Sequence, residues 1–116
     1  MPRRFGLSKK ERLRHPREFQ LVIRRGERVA TPHFVLFVLK KEDPTRRVGI
    51  SVGRKIGKAV VRNRMKRLLK EAFRLNKEKL QEGLDLVVIV RRTEGLEKME
   101  DVERELLEGL RPWRVA

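Results

Sequence analysis

The spacing of apolar residues predicts an α+β fold, a small two-layer sandwich with helices packed on a mixed sheet. Three observations carry this reading. The run RVGISV, residues 47–52, alternates, with Val48, Ile50 and Val52 on one side and Arg47, Gly49 and Ser51 on the other. FVLFVL and LVVIV are short apolar runs bounded by turn residues, of strand rather than helix length. From Val61 onward the period changes. At 100° per residue, Val61, Met65, Leu68, Ala72 and Leu75 fall within about 40° of one direction, with Leu69 at the margin, which defines the core-facing seam of a helix.

The predicted order is α-β-β-β-α-β-α, in a single domain over residues 1–116. Residues 1–14 read as a basic, irregular arm. Pro16 suits a first helical turn and Gly26 a stop, giving a helix over 16–25 with Phe19, Val22 and Ile23 along one side. GERVA supplies a short first strand. FVLFVLK follows Pro32 and His33, and the turn Asp43-Pro44-Thr45 leads into RVGISV, so these two strands are expected to pair as a hairpin. Gly53 and Gly57 bracket a basic loop. A long helix then runs from near Lys58 to about Asn76, with a further turn through Leu80. LDLVVIVR, 84–91, is the last strand, and Met99, Val102, Leu106, Leu107 and Leu110 build an amphipathic helix over about 98–110 that Pro112 closes.

The chain has 116 residues, of which 39% are hydrophobic, enough for one modest core. Its net charge of +15 is unevenly placed: residues 1–30 carry +7, 54–74 carry +8, and 94–116 carry −3. Such a distribution makes a field with a direction, suited to steering toward a phosphate backbone. Cysteine is absent, which excludes disulfides, thiolate zinc sites and cysteine nucleophiles. The apolar runs are too short to span a bilayer and nothing apolar follows the basic N-terminus, so a cytoplasmic protein is expected.

The stretch RNRMKRLLKEAFR, Arg62 to Arg74, loads six basic side chains onto one helix. Arg62, Asn63, Lys66, Arg67, Lys70 and Arg74 fall on the arc opposite the seam. Glu71 is the one acid among them, placed to pair with Arg67 or Lys70. A solvated helix alternates signs; this one presents a surface for a polyanion. GRKIGKA superficially resembles a phosphate-binding P-loop, but three residues separate its glycines rather than four, and Ala59 stands where Ser or Thr is required. It reads either as a general phosphate-binding loop, through Arg54, Lys55, Lys58 and exposed amides, or as a plain helix-entry loop. His15 and His33 fit no metal or triad spacing and read as incidental. No carboxylate pair is spaced for two-metal phosphodiester cleavage. Phe19, Phe34 and Phe37 are either core residues or, where a single helical layer leaves sheet surface open, platforms for base stacking.

Taken together, Ser51 to Arg74 (SVGRKIGKAVVRNRMKRLLKEAFR) resembles the signature region of the bacterial ribonuclease P protein subunit family. In that family an Arg-Asn-Arg motif is followed by Lys-Arg and then Glu-x-Phe-Arg, and each element is present. The resemblance extends from REFQLVIRRGERVATPHFVLFVLK to LDLVVIVRR. It implies a protein that binds the catalytic RNA of ribonuclease P, in a holoenzyme that removes the 5′ leader of precursor tRNA with Mg2+ held by RNA and substrate. No cofactor is then bound by this chain for catalysis. By the same resemblance Arg62, Asn63, Arg64, Lys66, Arg67, Lys70 and Arg74 face the catalytic RNA. Phe19, Phe34, Ser51, Arg54, Lys55 and Lys58 line a cleft for the single-stranded leader. The family also joins the strands flanking the basic helix by a left-handed β-α-β crossover. Two positions depart from the family pattern: Ile23 replaces a second aromatic, and Gly53 replaces a polar or basic residue.

Other readings of the charge pattern are a ribosomal protein or a general RNA chaperone. A duplex DNA regulator fits poorly, because no helix immediately precedes the basic one to form a helix-turn-helix.

Overall fold

The computed structural model describes residues 7–115. Seven main elements follow in the expected order: α1 (Pro16–Arg25), β1 (Glu27–Ala30), β2 (Phe34–Lys40), β3 (Arg46–Val52), α2 (Ala59–Asn76), β4 (Leu84–Val90) and α3 (Met99–Gly109). The strands form one sheet in the order β1-β2-β4-β3, with β3 parallel to β4 and the other pairs antiparallel.

The expected β2–β3 hairpin does not form, because β4 lies between them. LDLVVIV is buried along six of its seven positions, so it belongs at the sheet centre, where both faces and both edges are covered. β3 carries Arg47, Gly49 and Ser51 on one face and takes the edge position instead. The turn after β2 passes across the start of β4: the Lys41 amide donates to the Gly83 carbonyl, and the Gly83 amide to the Pro44 carbonyl. Gly83 has φ +74°, and a Cβ there would stand 2.7 Å from the Lys41 carbonyl oxygen, so this junction requires glycine.

Residues 7–14 do not form a free arm. Leu7 and Leu13 are buried, Lys9–Glu11 makes a 3-10 turn, and Arg12 bridges Val48 in parallel, with the Leu13 amide donating to the Val48 carbonyl at 3.0 Å. This strap covers the exposed edge of β3, as edge strands require. Residues 1–6 of the expected arm lie outside the described residues.

Side chains alternate between the two faces of the sheet. Phe34, Leu36 and Val38 of β2, Val48 and Val52 of β3, and Leu84, Leu86, Val88 and Val90 of β4 meet α2 and α3 in the main core. On the other face, α1 sets Val22 and Phe19 against Val87, Phe37, Leu39 and Ile89.

The seam of α2 is turned from its expected direction. Met65, Leu69, Ala72, Phe73 and Asn76 are buried, whereas Val61 is 39% and Leu75 53% exposed. The buried set is centred about 60° toward Leu69 and Phe73. The reason is that α2 packs against α3 as well as the sheet, and buried Asn76 ties the two helices by donating from Nδ2 to the Glu103 carboxylate at 2.9 Å.

Candidate nucleic-acid interface

Turning the seam leaves the cationic arc of α2 facing outward. Asn63, Arg64 and Arg67 are exposed, and Arg62, Lys66, Lys70 and Arg74 are half-buried along their stems. Arg62 donates from Nε to the Gly57 carbonyl at 3.0 Å, and Arg64 donates from Nη2 to the Glu97 carbonyl at 3.1 Å. Carbonyls orient these guanidinium groups without neutralising them. Glu71 does not pair with Arg67 or Lys70 as expected; it accepts from Nε and Nη2 of Arg74 at 3.0 and 2.5 Å. Among the described residues, Arg74 is thus the one of these six cations that already has a carboxylate. Lys70 is held below the ordinary lysine range by burial and by the positive charges of Arg12 and Lys66. Burial is the larger cause, and the two like charges add to it.

The second candidate surface lies on the α1 face of the sheet. The strand registers place three rows across it: Leu39–Asp85–Arg47, Phe37–Val87–Gly49 and Val35–Ile89–Ser51. The first row is closed by ions. Buried Asp85 accepts from Arg47 at 2.8 and 3.0 Å and from Lys41 at 2.7 Å, while Arg47 also reaches Glu18 of α1 at 3.0 Å. Burial pushes the Asp85 carboxyl up, but Arg47 and Lys41 outweigh it and hold it low. The second row is closed by Phe19, whose ring rests directly on Gly49: a Cβ at position 49 would stand 2.5 Å from its Cζ. The third row is more open, with Ser51 exposed and Ile89 half-buried.

Beyond the third row the chain enters the loop Gly53–Lys58, where Arg54, Lys55 and Lys58 are all exposed. Among the described residues none of the three pairs with a carboxylate. Lys58 is the N-cap residue of α2, no side chain caps that terminus, and no acid stands in its first turn. A basic, uncapped N-terminus opposes the helix dipole and leaves amides for an anion.

Phe34 does not belong to this cleft. It is 0% exposed, on the α2/α3 side of the sheet, because it lies one residue out of phase with Val35 and Phe37. Of the other residues named for it, Phe19 packs on the sheet at Gly49, Ser51 is exposed further along β3, and Arg54, Lys55 and Lys58 are exposed in the loop that follows, with half-buried Ile89 and Phe37 on the same face of the sheet. Those two were legible through period-2 alternation from Ser51 across the register, had the strand order been known. His33 is not incidental: its ring Nδ1 contacts Glu105 at 2.7 Å, its amide donates to the same carboxylate at 2.6 Å, and Thr31 donates there at 2.6 Å. This clamp joins α3 to the β1–β2 turn, on the side away from β3. Among the described residues, no three His, Asp or Glu side chains gather as a metal-ligand set, and no helix is long and apolar enough to cross a membrane.

Comparison with known proteins matches this arrangement to one family. The family model described as Ribonuclease P matches residues 7–113. The ribonuclease P protein component of Clostridium botulinum (strain 657 / Type Ba4) is 40% identical over 104 residues, covering 89% of this chain and 94% of that protein. That of Geobacillus kaustophilus is 41% identical over 106 residues, with 90% and 88% covered. The solved RNase P protein of Thermotoga maritima superposes with a TM-score of 0.80 at 36% identity, over 90% of this chain and 99% of the other. That of Staphylococcus aureus gives 0.79 at 30% identity, over 90% and 95%. With the family model matched over residues 7–113 and relatives about 40% identical over nearly the whole length, the chain belongs to the ribonuclease P protein component family.

Proposed function

We propose that the outer arc of α2 holds the catalytic RNA of ribonuclease P, through Arg62, Asn63, Arg64, Lys66, Arg67 and Lys70, with Arg74 a lesser contributor. The cleft between α1 and the sheet holds the single-stranded 5′ leader of precursor tRNA. Phe19 and Ile89 offer it apolar surface for bases, and Arg54, Lys55, Lys58 and the first amides of α2 offer seats for phosphates. Catalysis in this reading resides in the RNA, with Mg2+ held by RNA and substrate. The chain's own contribution is to bind and orient two nucleic-acid segments on either side of one loop.

The observation that carries the reading is the disposition of carboxylates. Glu71, Glu18 and Asp85 are each committed to a basic partner at the margins, which leaves the α2 arc and the Arg54–Lys58 loop uncompensated. A ribosomal or chaperone role requires only a diffuse basic surface and gives no reason for two separate ones.

Reconstitution with the cognate catalytic RNA and labelled precursors tests this. The chain should increase affinity for precursors with several leader nucleotides and leave mature tRNA nearly unaffected. The chain without RNA should not cleave. A leader-independent effect, or RNA-free cleavage at the mature 5′ end, would overturn the reading.

A further inference from the structure

Among the described residues, Arg64 is the one member of the α2 arc with a hydrogen bond to the connection between β4 and α3, from Nη2 to the Glu97 carbonyl at 3.1 Å. That carbonyl is not free to turn. Asp101, in the first turn of α3, accepts at Oδ2 from the Glu97 amide at 3.2 Å and from the Lys98 amide at 3.1 Å. The Glu97 carbonyl and the Lys98 amide belong to one planar trans peptide, in which the N–H and the C=O point in opposite directions. Drawing the Lys98 amide toward Asp101 therefore directs the Glu97 carbonyl away from it, and Arg64 stands there. The rest of the connection fixes where this peptide sits. Leu96 is buried in the main core, Gly95 takes φ +91° against the His33 ring, and the Nε2 atom of that ring contacts the Glu94 carbonyl. The other Asp101 oxygen lies 3.6 Å from Arg104, an exposed pair that adds little. The Lys98 and Glu97 amides hold the Asp101 carboxyl below the ordinary aspartate value, so the acceptor is ionised at neutral pH.

We propose that Asp101 is a positioning residue for RNA binding: through the Glu97–Lys98 peptide it fixes the direction in which Arg64 presents its guanidinium. A free arginine side chain loses rotamer freedom when it docks on a phosphate. One held at Nη2 is ordered beforehand, and its other donors remain for the RNA. By charge alone Asp101 repels a polyanion, so its two effects on RNA affinity have opposite signs. The assignment rests on the α2 arc being the RNA face, and it adds a residue from an acidic helix outside that arc.

The test measures binding of the cognate catalytic RNA by Asp101→Ala, Asp101→Asn, Arg64→Ala, Arg67→Ala and the double variant Asp101→Ala with Arg64→Ala, across a salt series and well below the melting temperature of each. Asp101→Ala should weaken binding about two- to tenfold, the factor that ordering one long side chain is worth, although it removes a negative charge. Its salt slope should not become shallower, because no cation is lost, whereas Arg67→Ala should reduce the slope by about one. Asp101→Asn, whose amide oxygen still accepts from the two backbone amides, should restore most of the affinity. In the Arg64→Ala background, Asp101→Ala should weaken binding no further. Should Asp101→Ala fail to fold, Asp101→Ser, whose short hydroxyl does not span both amides, takes its place with the same expectation. Tighter binding by Asp101→Ala would show that only its charge is felt, and the proposal would be wrong. An equal loss with and without Arg64 would mean that Asp101 acts through the stability of α3, which also overturns it. If Arg67→Ala shifts the slope and Arg64→Ala changes nothing, Arg64 makes no contact, so the α2 reading stands and the positioning role is struck out. If neither has an effect, the RNA face itself is misassigned and the proposal falls with it.

Discussion

The two faces of the sheet are closed to different depths. Among the described residues, twenty buried side chains make a continuous core against α2 and α3, whereas the apolar cluster against α1 has three buried members, Leu13, Val22 and Val87, with Val35 and Asp85 buried on the same face and Phe19, Phe37, Leu39 and Ile89 only partly covered. A ten-residue helix laid across four strands cannot cover them all, and the row it leaves is the one that leads into Arg54, Lys55 and Lys58. One face therefore holds the fold together, and the other has surface to spare for a ligand. The same alternation that puts Phe34 in the first puts Phe37 in the second.

The largest expected difference between the faces is the cost of removing a ring from each. Phe34→Ala should cost about 3–5 kcal/mol of stability and lower binding of precursor and mature tRNA together, as measured by denaturant unfolding beside binding in the reconstituted holoenzyme. A leader-specific loss at unchanged stability would erase the distinction between the faces.

Asp85 tests the closed end of the α1 face. Its carboxyl is held below the ordinary aspartate value, so it contributes stability that is present above about pH 4 and lost as pH falls through its lowered pKa. Asp85→Asn strands Arg47 and Lys41, whose side chains keep some solvent, and should cost up to about 3 kcal/mol at neutral pH. The variant should also lose part of the acid dependence below pH 4. Parent and variant curves that stay parallel in acid would show that another group governs this end.

Phe19 sharpens the comparison at the open end. Phe19→Ala should spare assembly and reduce affinity for long-leader precursors by about 1–3 kcal/mol, roughly tenfold to a hundredfold. Gly49→Ala should act in the same direction by displacing the ring from its seat, at a cost of about 1–3 kcal/mol in stability. Equal losses for precursor and mature tRNA, with a large fall in melting temperature, would move Phe19 into the core.

The smallest effects belong to single cations on α2. Arg67→Ala should leave the fold intact and reduce the salt slope of RNA binding by about one. Glu71→Gln should do the reverse by releasing Arg74, steepening the slope and tightening binding at low salt. A slope unchanged in both would place the RNA elsewhere.

Most of the architecture is local and was legible along the chain. α1 begins at Pro16 and ends before Gly26, and α2 runs to Asn76, where caps, proline and period mark them. The basic composition of α2 and the Arg-Asn-Arg pattern likewise need no partner to be read. What the chain alone did not decide are the features set by which elements meet. Two apolar strands joined by a Pro-Thr turn look like a hairpin until a third, apolar on both faces, competes for the central position. A helix seam drawn for one neighbour points about 60° away once the helix must also pack on α3. Glu71 had three basic residues within a turn, and side-chain geometry on the folded surface selected Arg74. Phe34 and Phe37 are chemically alike and three residues apart, so they face opposite sides of the sheet, and only the helices above and below it made one a fully buried core residue and left the other half-buried beside α1.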